Sequence, residues 1–378
     1  MIYFDAAATT LQKPPQVALA CARAIRTCAS PGRGGHKPAM AAAQVAYDCR
    51  SLAGKLLGVE EPERVVFTMN ATHGLNIAIR SLVKPRDNVV VSGWEHNAVT
   101  RPLHALGANL KVAAGPLFDR EAALAAFDRA LTGEVSCAVC TQCSNVFGMI
   151  LPIPQIAALC RERGIPLIVD ASQGAGCLKV DADGWGAAFV AMPGHKGLYG
   201  PQGTGLLLCG KDTSAVPILQ GGTGSDSINQ EMPEFLPDRL EAGTHNIAGV
   251  AGLLEGMRFV SAKGPETILR HERKLLARAR NALGQLPGVE LFCDPLGTNQ
   301  GGVLSLRLAR MDCEAAAEWL GERGAAVRAG LHCAPLAHRI QGTLETGTVR
   351  LSFSAFNTPK EVDRFAELLE TLIRKGAG

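Results

Sequence analysis

The 378-residue chain has no strict glycine period, no internal repeat and no block of Lys or Arg. The first absence excludes a collagenous rod, the second a solenoid or propeller, and the third the electrostatic footprint of a nucleic-acid binder. Charge is nearly balanced, with 38 basic and 35 acidic side chains giving a formal net charge of +3. The opening Met1-Ile2-Tyr3-Phe4-Asp5 lacks the basic and apolar regions of a signal peptide, and the 12 cysteines are scattered. Reduced thiols and a cytoplasmic location are therefore expected. One long uncharged stretch, between Glu134 and Arg161, is interrupted by Gln142, Ser144, Asn145, Pro152 and Pro154. It reads as buried strand plus loop, not as a membrane span. With 47% hydrophobic residues the chain is too apolar for disorder and long enough for more than one core.

Short β-rich apolar runs alternate with amphipathic stretches, which is the signature of an α/β fold with a mostly parallel, helix-covered sheet. The spacing predicts strands over 64–68, 88–91, 110–113, 135–140, 165–169, 189–191 and 205–209, and helices over 72–82, 97–106, 120–131 and 153–163. Residues 221–244 read as a long functional loop. Helices over 247–261 and 265–286 follow, and then the rhythm changes to strands at 303–308 and 349–353 between helices at 313–323 and 359–373. A large α/β domain over 15–260 and a small α+β domain built from 1–14 and 261–378 are expected.

Ligands of open α/β sheets bind beyond the carboxyl ends of the strands, so polar residues just after strand runs are the first candidates. Asn70-Ala71-Thr72-His73-Gly74 opens a helix and reads either as an anion site for a phosphate or as a simple helix cap. Asp170 ends a hydrophobic strand and suits a metal, a general base, a cationic ring nitrogen or a turn cap. Lys196, in Pro193-Gly194-His195-Lys196-Gly197, forms a Schiff base if desolvated and is a plain loop lysine if not. Gly200-Pro201-Gln202-Gly203-Thr204-Gly205 lacks the ending of a phosphate loop and reads as a turn. Cys137, Cys140 and Cys143 have cluster-like spacing, but strand alternation sends Cys137 and Cys140 to opposite faces. Cys333, beside His332 and near Arg328, is the candidate nucleophile, with a buried inert thiol as the alternative.

Taken in order, these segments resemble the class V aminotransferase branch of pyridoxal-phosphate enzymes, and within it the cysteine desulfurases. The resemblance runs from Tyr3-Phe4-Asp5-Ala6-Ala7-Ala8-Thr9-Thr10 through Glu95-His96-Asn97-Ala98, Ser144 to Gly148, Asp170 to Gln173 and Gly194-His195-Lys196. It continues through Glu241 to Asn246 and Arg328 to Pro335 to Arg350-Leu351-Ser352-Phe353-Ser354-Ala355-Phe356-Asn357-Thr358. It implies fold type I of the pyridoxal-phosphate transferases and a homodimer.

It also implies that Lys196 carries pyridoxal 5'-phosphate covalently, Asp170 pairs with the ring nitrogen and Gln173 bonds the ring hydroxyl. His96 stacks on the ring, and Thr72, His73 and His195 lie at the phosphate, with Thr244 reaching in from the partner subunit. Asn145, Arg328 and Arg350 take the substrate carboxylate, and Cys333 receives sulfur from L-cysteine as a persulfide for an acceptor protein. The short Arg-x-Gly-x-His-Cys-Ala loop resembles group II desulfurases. Pro193 in place of a common Ser, His73 in place of a common Glu, and an unusual Gly221 to Asp226 segment mark a divergent subfamily. L-selenocysteine or L-cystine thereby stay open as substrates, as does a non-catalytic persulfide carrier. No nucleic acid, membrane or metal is expected.

Overall fold

The computed structural model describes residues 1–32 and 34–376. In chain order the elements begin with β1 (Ile2–Tyr3), α1 (Pro15–Thr27), α2 (Lys37–Leu57), β2 (Val65–Thr68), α3 (Ala71–Leu82), β3 (Asn88–Ser92), α4 (Asn97–Ala105) and β4 (Asn109–Ala113). They continue through α5 (Arg120–Ala130), β5 (Cys137–Thr141), α6 (Ile153–Glu162), β6 (Leu167–Asp170), α7 (Ala182–Trp185), β7 (Phe189–Pro193) and β8 (Gly205–Cys209). After a long irregular segment come α8 (Ile247–Lys263), α9 (Pro265–Leu283), β9 (Val289–Phe292), β10 (Val303–Leu308), α10 (Cys313–Glu322) and β11 (Ala325–Ala326). The chain then ends through β12 (Arg328–Gly330), α11 (Pro335–Gln341), β13 (Thr348–Ser352) and α12 (Pro359–Gly376).

Seven strands form the main sheet in the order β2-β8-β7-β6-β5-β3-β4. All run one way except β8, which is antiparallel to both its neighbours. Helices cover both faces, so the central strands are buried end to end and read as unbroken apolar runs. Alternation along β5 sends Cys137 into the core on one face and Cys140 into the core on the other. Strand order reverses between β3 and β5, because β4 lies outside β3 while β6 and β7 succeed β5 on the other side. That reversal opens a crevice at the carboxyl ends.

The second sheet is antiparallel, in the order β12-β13-β10-β9, and its core joins leucines of α9, α10 and α12 to Ile2 and Phe4 from the start of the chain. Phe4 is fully enclosed and stands edge-on to Phe353 and Phe365, with ring centroids 5.0 and 5.6 Å away. The residues after it cross to the main sheet, so the first ten residues tie the two cores together. Truncating Phe4→Ala removes an aromatic side chain with no room to collapse, and we expect a loss of about 3–5 kcal/mol in denaturant unfolding followed by circular dichroism.

Candidate active site

Lys196 sits in the tight turn between β7 and β8, which closes on itself through Gly200 N–H to the Gly194 carbonyl (2.7 Å) and Tyr199 N–H to the Lys196 carbonyl (2.9 Å). Gly194 is required there, since a Cβ would lie 2.2 Å from the Thr204 hydroxyl. Burial of the Lys196 amine pulls its pKa down to about 8, with Asp170 and Asp5 opposing and Arg350 and Arg328 reinforcing. Asp170 ends β6, is buried, and accepts the Ser172 N–H at 2.9 Å. Among the described residues no lysine, arginine or histidine stands within 4.0 Å of its carboxylate. The turn-cap role and a free carboxylate at the crevice therefore coexist in one side chain.

His96 caps α4, its Nδ1 accepting the Ala98 N–H at 3.0 Å, so the ring proton of the neutral form is on Nε2. Burial lowers its pKa despite the attraction of Asp170. The preceding Glu95 is fully enclosed and accepts from the Ser92 hydroxyl and from Thr141 N–H at 2.7 Å. Burial, with the Asp170 charge adding to it, pushes the Glu95 carboxyl up to about 8. A carboxyl held that high is mostly protonated at pH 7.

Thr72 is exposed in the first turn of α3, whose cap is Asn70 through its side-chain oxygen and His73 N–H (2.9 Å). His73 Nδ1 accepts the Met69 N–H at 3.3 Å, while its Nε2 is enclosed without a partner. His195 lies 3.1 Å from the Thr9 hydroxyl through Nδ1, and burial brings its pKa down to about 4. Gln173 donates from Nε2 to the Ala7 carbonyl at 2.9 Å. Thr244 is exposed and lines a cavity of about 210 Å³ with His73 and Thr68. Behind it, Glu241 anchors the segment to Arg50 through two hydrogen bonds of 2.8 and 2.6 Å.

On the small-sheet side, buried Arg350 donates to the Asn145 carbonyl (2.9 Å) and to Asp5 (2.7 Å). Arg328, half exposed, reaches the other Asp5 oxygen at 3.2 Å. Cys333 is exposed on the turn between β12 and α11. Two bonds hold this turn against the crevice: Asn145 Nδ2 to the His332 carbonyl and Asn97 N–H to the Cys333 carbonyl, both 2.7 Å. His332 and Cys333 both take left-handed backbone, with φ of 48° and 56°. Such conformations in non-glycine residues cost about 1–3 kcal/mol each and persist where the surroundings over-determine them.

The sequence reading gave no role to Asp5, Thr9 or Glu95, although all three fall in the motifs quoted. Asp5, the lone carboxylate after the apolar Ile2-Tyr3-Phe4, was the visible signal. The arrangement offers an amine poised to react, an unpaired buried carboxylate, a neutral imidazole, two guanidinium groups and an exposed thiol around one crevice. An enclosed carboxylate with no cationic side chain within 4.0 Å fits a ring nitrogen brought by a bound group, and an amine whose pKa is lowered to about 8 fits a carbonyl. In the cofactor-free protein, Lys196 should be acylated with a pH midpoint near 8, about two units below an ordinary lysine. Mass-spectrometric labelling against pH measures this, and a midpoint near 10.5 would contradict the burial argument.

The class-V aminotransferase family model matches residues 2–365. A probable cysteine desulfurase of Methanothermobacter thermautotrophicus is 31% identical over 388 residues, covering 99% of this chain and 95% of the relative. One from Xylella fastidiosa is 33% identical over 384 residues, covering 98% and 90%. Among solved structures, an apo cysteine desulfurase of Thermococcus onnurineus superposes with a TM-score of 0.91 at 29% identity, covering 99% and 95%. An Escherichia coli cysteine desulfurase in S-sulfonic acid form gives 0.86 at 26% identity, covering 98% and 94%.

Proposed function

The chain belongs to the class-V aminotransferase family, and from that premise we propose that it is a pyridoxal 5'-phosphate-dependent cysteine desulfurase working through Cys333. Its α/β architecture is that of fold type I, like the solved desulfurases. The observation that carries the reading is the tether of Cys333: its carbonyl is bound by Asn97, the residue after His96, while Asn145 binds His332 and accepts from Arg350. A thiol tethered in this way supports a place for Cys333 beside Lys196 and Asp170.

When bound, the cofactor supplies an electron sink that acidifies the Cα proton of an amino acid attached to it. Asp170 would keep the ring nitrogen protonated, Gln173 would face the ring hydroxyl, and Thr72, His73 and His195 would hold the phosphate. Pro193, at the end of β7, contributes neither hydroxyl nor N–H to that grip. Lys196 would hold the cofactor, and its amine would move the Cα proton; a pKa near 8 suits it to both accept and return a proton near neutral pH. His96 would cover the ring face, and the Ala98 N–H on its Nδ1 leaves the proton of the neutral ring on Nε2. Arg350 and Arg328 take the α-carboxylate. The Cys333 thiolate attacks the substrate sulfur: the new S–S bond forms as the Cβ–S bond breaks, and the carbon fragment keeps that electron pair. Protonation releases alanine, and the persulfide on Cys333 passes to an acceptor.

A second copy of the chain would place its exposed Thr244 at the phosphate, making the active unit a homodimer. Among the described residues no helix is long and apolar enough to cross a membrane.

With L-cysteine, the loaded protein should release alanine, and Cys333→Ala should cut alanine release at least 100-fold while leaving cofactor absorbance intact. Alanine from L-selenocysteine that survives the substitution would instead make the chain a selenium-releasing lyase, and pyruvate from L-cystine would make it a C–S lyase. For the dimer, sedimentation should give twice the chain mass, and Thr244→Val should weaken cofactor binding several-fold. A fully active monomer would remove Thr244 from the site.

A further inference from the structure

In the antiparallel pairing of β12 with β13, Arg328 stands directly across from Arg350. Two like charges in register on neighbouring strands repel, and a nearby anion offsets the cost. Asp5 is that anion. Its Oδ1 accepts from Arg350 Nη2 at 2.7 Å and its Oδ2 from Arg328 Nε at 3.2 Å. The three side chains together carry a net charge of +1, which one carboxylate neutralises.

Asp5 is itself held firmly. Its carbonyl accepts Ala8 N–H and Thr9 N–H in a turn (3.1 and 3.3 Å), and Ala7 N–H donates to the Ser352 hydroxyl at 2.9 Å. The same strap continues through the Ala7 carbonyl to Gln173, the Thr9 hydroxyl to His195, and the Thr10 hydroxyl to the His195 carbonyl at 3.0 Å. One short segment thus touches the arginine pair, the glutamine and the lysine turn. Arg350 spends Nη1 on Asn145 and Nη2 on Asp5, while its enclosed Nε has no partner.

We infer that Asp5 is a positioning residue for recognition of the substrate's α-carboxylate, holding Arg350 and Arg328 as one oriented site of single positive charge. This deepens the amino-acid reading proposed above and rests on it. Without Asp5 the two guanidinium groups repel, Arg350 loses the acceptor that fixes its Nη2, and the preference for a carboxylate-bearing ligand falls.

The test compares L-alanine with ethylamine, which lacks the carboxylate, by titrating the visible absorbance of the cofactor-loaded protein. Neither carries sulfur, so the ratio of their affinities is read whether or not the chain desulfurates cysteine. In the unaltered protein alanine should bind about 10- to 100-fold more tightly, the range for a charge-assisted contact. Asp5→Asn should lower that ratio about tenfold with ethylamine affinity unchanged within threefold. Asp5→Glu, which keeps the charge and shifts the carboxylate by one methylene, should lie between the two and serves if the Asn variant does not fold. An unchanged ratio would overturn the inference, as would equal weakening of both ligands, which would mark a structural role at the lysine turn. Retained carboxylate preference with no alanine from cysteine would instead sink the desulfurase reading alone.

Discussion

Desolvation of charge at the carboxyl edge of the main sheet is the constraint on which the rest of this molecule depends. Three cationic side chains, Lys196, Arg328 and Arg350, and two carboxylates, Asp170 and Asp5, share one crevice, and Arg350 and Asp170 are almost wholly enclosed. An isolated ion in such a place is costly, and proteins answer by pairing it or neutralising it. This chain does both. Arg350 is paired with Asp5, burial raises the Glu95 carboxyl to about 8, and burial lowers the Lys196 pKa to about 8. Asp170 stays buried with no cationic side chain within 4.0 Å among the described residues, and that imbalance is what the proposed function would answer with a cationic ring.

The two cores could not hold this arrangement separately. Lys196 and Asp170 end strands of the main sheet, whereas Arg328 and Arg350 belong to the small sheet. Residues 1–10 join them: Phe4 is buried in the small core, Asp5 meets its arginines, and Thr9 and Thr10 reach the lysine turn. An N-terminal segment is ordinarily a place of disorder unless tied down. Here it is tied at each end of a five-residue stretch, by Asp5 to the arginines and by Thr9 to His195.

Much of the fold was legible because parallel strands buried on both faces write themselves as apolar runs, as at β5 to β7, and because amphipathic helices such as α9 and α12 repeat at helical spacing. Helices α1 and α2 were not foreseen: their alanine-rich faces leave Leu19, Ile25, Met40 and Tyr47 exposed, which blurs the period that marks a helix against a core. The pairing of β2 and β7 through an antiparallel β8 was equally hidden, since strand direction leaves no mark on composition. In the site, Asp170, Lys196, His96 and Cys333 were visible from their positions after strands and from the family pattern. Asp5 and Glu95 were not assigned roles, because what defines them is a partner 345 residues away in one case and complete enclosure in the other. Neither partnership nor enclosure can be read one residue at a time.

The Cys333 turn shows why so short a connection suffices. Cys333 is exposed, and exposure ordinarily brings mobility. Four residues separate β12 from α11, too few to wander, and the left-handed backbone at His332 and Cys333 turns the chain sharply within them. The strain is held by contacts on three sides: Asn145 on the His332 carbonyl, Asn97 on the Cys333 carbonyl, and Thr348 beside the His332 ring at 3.1 Å. Those partners come from both sheets, and Asn145 also receives Arg350. Arg350 and the turn that presents the thiol are therefore fixed to the same asparagine, so under the proposed function a ligand seated by the first would be placed with respect to the second without any added loop.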